Sequence, residues 1–219
     1  MQLSIVQRII LSLIPLVFAI TIHEVAHGWV ANCLGDSTAK QQGRLTLNPL
    51  KHLDPIGTII IPGILLMLGG FIFGYAKPVP VNWRNLRNIR RDMALVALAG
   101  PLANLIMALL WALIIKFIII FTGGNSYLAS IFIYMSSIGI VINISLMILN
   151  LIPIPPLDGS RVVASFLHGH VAIAYARIEP YGFLIILALL ALGVLSNIMQ
   201  PFFQFFLTLI TQLFGLSFT

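Results

Sequence analysis

His23-Glu24-Val25-Ala26-His27 sets two imidazoles four residues apart with a carboxylate beside the first. On a helix, positions four apart share a face, so both histidines can offer a ring nitrogen to one zinc ion. Glu24 lies next to them and suits the general base that activates water at such a metal. A catalytic zinc normally takes three protein ligands and keeps one position open. The remaining histidines are His52, His168 and His170, and the remaining acids are Asp36, Asp54, Asp92, Asp158 and Glu179. Asp158 stands apart because it closes a hydrophobic stretch within a proline-rich break, Pro153-Ile154-Pro155-Pro156-Leu157-Asp158-Gly159. Prolines there unwind the backbone, and irregular backbone at membrane depth is tolerated only where it lines a cavity or packs in protein. Two readings of Asp158 stand side by side: a third ligand in a cleft, or a solvated carboxylate at a helix stop. The histidines likewise read as metal ligands or as an interfacial pair capped by an Arg or a carbonyl. Three ionisable side chains within one turn of an intramembrane helix are costly, and by default they mark function.

The elements that must position these residues follow from composition. The chain has 219 residues, 59% hydrophobic and 8% charged, against about 25% charged in a typical soluble protein. Several stretches approach the roughly 20 apolar residues that cross a bilayer, so this is an integral membrane protein. The net charge of +6 does not indicate a nucleic-acid partner, because Lys and Arg cluster in short loops, as the positive-inside bias requires. A single cysteine, Cys33, excludes an intrachain disulfide framework. The N-terminal apolar run leads straight into the His-Glu pair with no small-residue cleavage site, and reads as a retained first helix.

Hydropathy predicts an all-α, multi-pass bundle of four to six transmembrane segments forming a single membrane domain over residues 1–219. Core helices are expected at about 5–31, 93–121 and 128–152, and C-terminal helices at about 181–216, split at Pro201. Residues 161–177 read as a short helix at the membrane surface. The apolar segment at about 56–75 is broken by Pro62, Gly63, Gly69 and Gly70, and basic residues flank it on both sides. Both flanks prefer the cytoplasmic side, so a re-entrant hairpin is expected there in preference to a full span. That choice brings His27 and Asp158 to similar depth, near the cytoplasmic ends of their helices.

Together these motifs bring a resemblance that covers nearly the whole chain. His23-Glu24-x-x-His27-Gly28, Ala99-Gly100-Pro101-Leu102-Ala103-Asn104 and Asn150-x-x-Pro153-x-Pro155-x-Leu157-Asp158-Gly159 resemble, in order and spacing, the site-2 protease family of intramembrane zinc metalloproteases. The likeness is to the compact prokaryotic branch without a PDZ domain, for which this chain has no room. The resemblance implies one Zn2+ per chain held by His23, His27 and Asp158, water activated by Glu24, and transmembrane proteins as substrates in regulated intramembrane proteolysis. It implies that Asn150 contacts the substrate or the oxyanion. Asn104 joins it as a candidate, with hydrogen bonding or packing between helices as the alternative. It further implies a prokaryotic cytoplasmic membrane with the active site toward the cytoplasm. Competing readings are a zinc-handling transporter, which would string polar groups along a path, and a non-catalytic binder of membrane proteins. His52 reads as a solvated loop histidine and His168-Gly169-His170 as interfacial. Asn143 has no role that its sequence context decides, and Cys33 falls outside the motif.

Overall fold

A computed structural model describes residues 4–52, 54, 77–124 and 126–216. The re-entrant segment expected at 56–75 lies outside them. Helix α1 spans Ile5–Cys33 and opens on a capping box: Ser4 Oγ accepts from the Gln7 amide while Gln7 Oε1 accepts from the Ser4 amide. Its 29 residues reach roughly 43 Å, more than the ~30 Å hydrocarbon core. The short α2, Thr38–Gln41, and two 3-10 turns, Pro49–Lys51 and Trp83–Asn85, lie in the loops beyond.

Helix α3, Ile89–Thr122, starts ahead of the apolar run, because the Asn88 side chain accepts from the Arg91 amide and draws the basic residues into the first turn. Helix α4, Tyr127–Leu151, begins at Ser126, whose hydroxyl accepts from the Ala129 amide. The two helices, joined by a short turn, enclose the main apolar core of Ala108, Trp111, Ala112, Ile115, Ile140, Ile144 and Met147, which Ile210 completes from the last helix.

After the proline break come α5 (Asp158–Phe166), α6 (Gly169–Ala176), a 3-10 turn (Glu179–Tyr181), α7 (Gly182–Ala191) and α8 (Val194–Phe214). Two expectations are corrected here. The surface helix read at 161–177 is two helices, parted at Leu167-His168, and the second belongs to an apolar stretch, Gly169–Ala191, long enough to cross a membrane. The C-terminal pair is split at Gly193, not at Pro201. Gly193 adopts φ 70°, a left-handed conformation glycine takes without strain, whereas Pro201 lies inside α8. Prolines are tolerated inside membrane helices when neighbouring groups re-satisfy the freed carbonyl.

Five segments among the described residues are long and apolar enough to cross a membrane. Large side chains such as Ile9, Leu13, Phe117 and Phe121 stay exposed on them, as the lipid-facing surface of a multi-pass membrane protein requires. Regular structure among the described residues is entirely helical.

Candidate active site

His23 and His27 lie one turn apart on α1, and their Nε2 atoms stand 3.0 Å from each other. Asp158 Oδ2 lies 3.2 Å from each of them. Among the described residues these three form the one cluster of potential metal ligands. Asp158 reaches the histidines because α4 stops at Leu151 and the chain doubles back before α5. A Cβ on Gly159 would collide with the Leu151 carbonyl, so glycine permits the fold-back that delivers Asp158.

Hydrogen bonds at the far side of each ring fix the tautomers. His27 Nδ1 meets the Val96 carbonyl oxygen at 2.7 Å. A carbonyl can only accept, so Nδ1 carries a proton, and in the neutral ring Nε2 then presents a lone pair. His23 Nδ1 meets Asn104 Oδ1 at 2.6 Å. The Asn104 amide is oriented by its own Nδ2, which donates to Asn143 Oδ1 at 3.0 Å and to the Ala19 carbonyl at 3.4 Å. Asn143 in turn donates to the Gly139 carbonyl at 2.8 Å. The chain Gly139, Asn143, Asn104, His23 therefore runs in one direction and leaves His23 Nε2 as a second lone pair.

Three acceptors thus face one another, two imidazole nitrogens and a carboxylate oxygen, and Asp158 Oδ2 is buried with no hydrogen-bond donor. Such a set needs a proton or a metal ion between its members. Zinc bonds of about 2.0–2.1 Å in a tetrahedron separate neighbouring ligand atoms by roughly 3.3 Å, close to the 3.0–3.2 Å found here. Gly100 on α3 faces the rings. A Cβ there would stand 2.5 Å from His23 Cε1 and 2.6 Å from His23 Nε2, and would strike His27 Nε2 as well. The residues fit a tetrahedral metal ion.

Glu24 opens onto the same cavity, of about 680 Å³, whose lining includes His23, His27, Asp158, Asn150 and the apolar side chains of Ile20, Leu146, Phe183 and Ile186. Glu24 Oε2 accepts from the Val79 amide at 2.7 Å. Asn150 is also on the cavity wall and donates one amide proton to the Leu146 carbonyl at 3.0 Å.

Of the two readings of Asn104, the structure places it in the one of hydrogen bonding between helices: it is fully buried and its amide is engaged by His23, Asn143 and Ala19. His52 departs from its reading: it is fully buried and its Nε2 bonds the Thr46 carbonyl oxygen at 2.8 Å. Asn143, Val96 and Val79 were missed as site partners. For Asn143 the available signal was a polar amide inside an apolar helix. For Val96 and Val79 there was none, because a backbone group carries no mark in the sequence.

Comparison with known proteins supplies independent findings. Residues 114–193, which carry Asn150 and Asp158, match peptidase family M50. Over 191 residues the chain is 40% identical to "Putative zinc metalloprotease YwhC" of Bacillus subtilis (strain 168), an alignment covering 86% of this chain and 83% of the relative. It is 30% identical over 201 residues to "Putative zinc metalloprotease Rip2" of Mycolicibacterium smegmatis, covering 89% of this chain and 72% of that protein. No solved structure matches the chain.

Proposed function

Since the chain belongs to peptidase family M50, the site-2 protease family, and is a metalloprotease of the membrane, we propose that it cleaves transmembrane substrates at a zinc ion held by His23, His27 and Asp158, with Glu24 as general base. The observation that carries this reading is the convergence of two imidazole Nε2 atoms and a carboxylate oxygen, 3.0–3.2 Å on a side, the spacing of ligand atoms around a tetrahedral zinc ion. Zinc, when bound, supplies a Lewis acid that brings water toward ionisation at neutral pH and polarises the scissile carbonyl.

The chain's own residues supply the rest. Glu24 is held through Oε2 by the Val79 amide, which leaves Oε1 to take the proton of the attacking water and return it to the leaving amine. Asn104 and Asn143 fix the tautomer and direction of His23 and act as positioning residues. Asn150 keeps a second amide proton beyond the one given to Leu146, and on this reading it steadies the substrate carbonyl as negative charge develops. The apolar walls suit a locally unwound transmembrane segment, whose amides must leave their helical hydrogen bonds before attack. The membrane is the prokaryotic cytoplasmic membrane, with the site toward the cytoplasm. Arg84, Arg87, Arg90 and Arg91 lie at the same end of α3 as Val96 and Gly100, and basic loops stay inside.

The test is Glu24→Gln in the full chain, purified in mild detergent and assayed on a panel of single-span peptides. Zinc retention with loss of cleavage is the expected result, and a variant that cleaves like the wild type would sink the assignment. A transporter would tolerate the change.

A further inference from the structure

The basic loop between α1 and α3 carries a buried cation that the reaction, as described so far, does not use. Arg44 is 9% exposed. Its Nη2 donates to the Lys77 carbonyl at 3.0 Å and to the Pro78 carbonyl at 3.3 Å. The Pro78 carbonyl and the Val79 N–H belong to one peptide unit, and in a planar trans peptide they point in opposite directions. Arg44 therefore grips one edge of that plane while Glu24 Oε2 grips the other, 2.7 Å from the Val79 nitrogen. Pro78 and Pro80 have no N–H, so Val79 supplies the sole backbone donor in Pro78-Val79-Pro80.

The same short segment is tied down at both ends. The Lys77 amide donates to the carbonyl of buried His52 at 2.9 Å, and the Asn82 amide donates to buried Asp36 at 2.7 Å. Gly28, one turn past Glu24 on α1, lets the segment close in, since a Cβ there would come within 2.7 Å of Val79 Cγ1.

We propose that Arg44 is a positioning residue for Glu24, acting through the Pro78–Val79 peptide plane. Fixing the carbonyl edge with a cation stops the plane from turning. It also polarises the unit, which strengthens the N–H donor on the opposite edge. Glu24 then keeps one oxygen anchored and the other facing the cavity. The inference rests on the reading of Glu24 as general base.

The experiment uses the full chain in detergent and a fluorogenic single-span peptide that the wild type cleaves. Arg44→Ala, Arg44→Lys, Val79→Pro and the double variant R44A/V79P are compared for kcat, KM and bound zinc. A base displaced by about 1 Å costs on the order of 100-fold. R44A is expected to lose kcat by about 10- to 100-fold, with KM within about twofold and zinc unchanged. R44K keeps the charge and several donors on one nitrogen, and both carbonyls accept from the single Nη2, so it should recover part of the lost kcat. Guanidinium ion added at millimolar concentration should restore part of the kcat of R44A and none in V79P. The double variant should be no worse than V79P, because both changes break one link. Wild-type kcat in R44A overturns the proposal. So does a loss that follows zinc, ignores guanidinium and multiplies with V79P, which is the pattern of a merely structural arginine. If R44A does not fold, unchanged kcat in V79P overturns the proposal on its own. Cleavage surviving in E24Q defeats the general-base reading instead, and the two failures remain distinct.

Discussion

Gly100→Ala tests how little room the two histidine rings have beside α3. The new Cβ would lie 2.5 Å from His23 Cε1 and 2.6 Å from His23 Nε2, and against His27 Nε2, where an ordinary contact is about 3.5 Å. One or both rings must therefore withdraw by roughly 1 Å. Neither ring is loose: His23 is fastened to Asn104 and His27 to the Val96 carbonyl, so withdrawal strains the bonds that aim the lone pairs. Disturbing such supports typically costs 10- to 100-fold in metal affinity, about 1.4–2.7 kcal/mol. The same strain acts on the metal-free fold, where overpacking costs about 1–3 kcal/mol against a helix gain of about 0.5–1 kcal/mol from alanine. A competition titration against a chromophoric chelator reads the first quantity, and thermal unfolding of the metal-free protein reads the second. The prediction is weaker zinc binding and reduced cleavage in a variant whose metal-free form still folds and melts somewhat lower than the wild type. Wild-type zinc affinity in G100A would refute the geometric reasoning, since the rings would then have room that the coordinates deny them.

Asn104→Ala should weaken zinc binding by about tenfold or more by releasing His23 Nδ1, with a smaller change in the same direction for Asn143→Ala, measured by the same titration. Asp36, in the loop after α1, contributes to acid stability. Burial pushes its carboxyl upward, but hydrogen bonds from Thr38, Asn85 and Asn82 outweigh this and hold it below its ordinary value. With the folded pKa below the unfolded one, the unfolded chain takes the proton first as pH falls. The stability Asp36 contributes is thus complete above the unfolded pKa of about 3.9 and is lost as pH falls through the folded value. Asp36→Asn should lower the melting temperature at neutral pH and flatten its decline toward about pH 3; an unchanged slope would contradict this.

How far the molecule could be read from its sequence varied by kind of interaction. That His23 and His27 present their rings to one point was legible because local helical geometry relates them, which needs only a four-residue spacing. For Asp158 the proline break left a cleft and a solvated helix stop both open, and it was the resemblance that set it beside the two histidines. The supports were less so: Asn104 was legible as a hydrogen-bonding residue between helices, and its partner was not. His23 finds Asn104 across 81 positions, His27 finds Val96 across 69, and Glu24 finds Val79 across 55, and no periodicity encodes such distances. Two of those partners are backbone groups, which any residue could supply. The break at Gly193 was missed because proline was taken as the stronger interruption, when in α8 the left-handed turn preceding the helix decides its start. His52 was misread because a loop residue was assumed solvated, although a polar side chain can be buried wherever a carbonyl such as that of Thr46 meets it.

Zinc K-edge X-ray absorption on the full chain, purified without chelator, tests the central claim most directly. The account predicts a first shell of two imidazole nitrogens and carboxylate or water oxygen, all at about 2.0–2.1 Å, with the imidazole signature diminished in His23→Ala. Cys33 is exposed near the end of the same helix as the histidines, so a sulfur shell at about 2.3 Å would be readily recognised. Sulfur in the first shell, or no zinc in the protein at all, would contradict a metal site built from His23, His27 and Asp158.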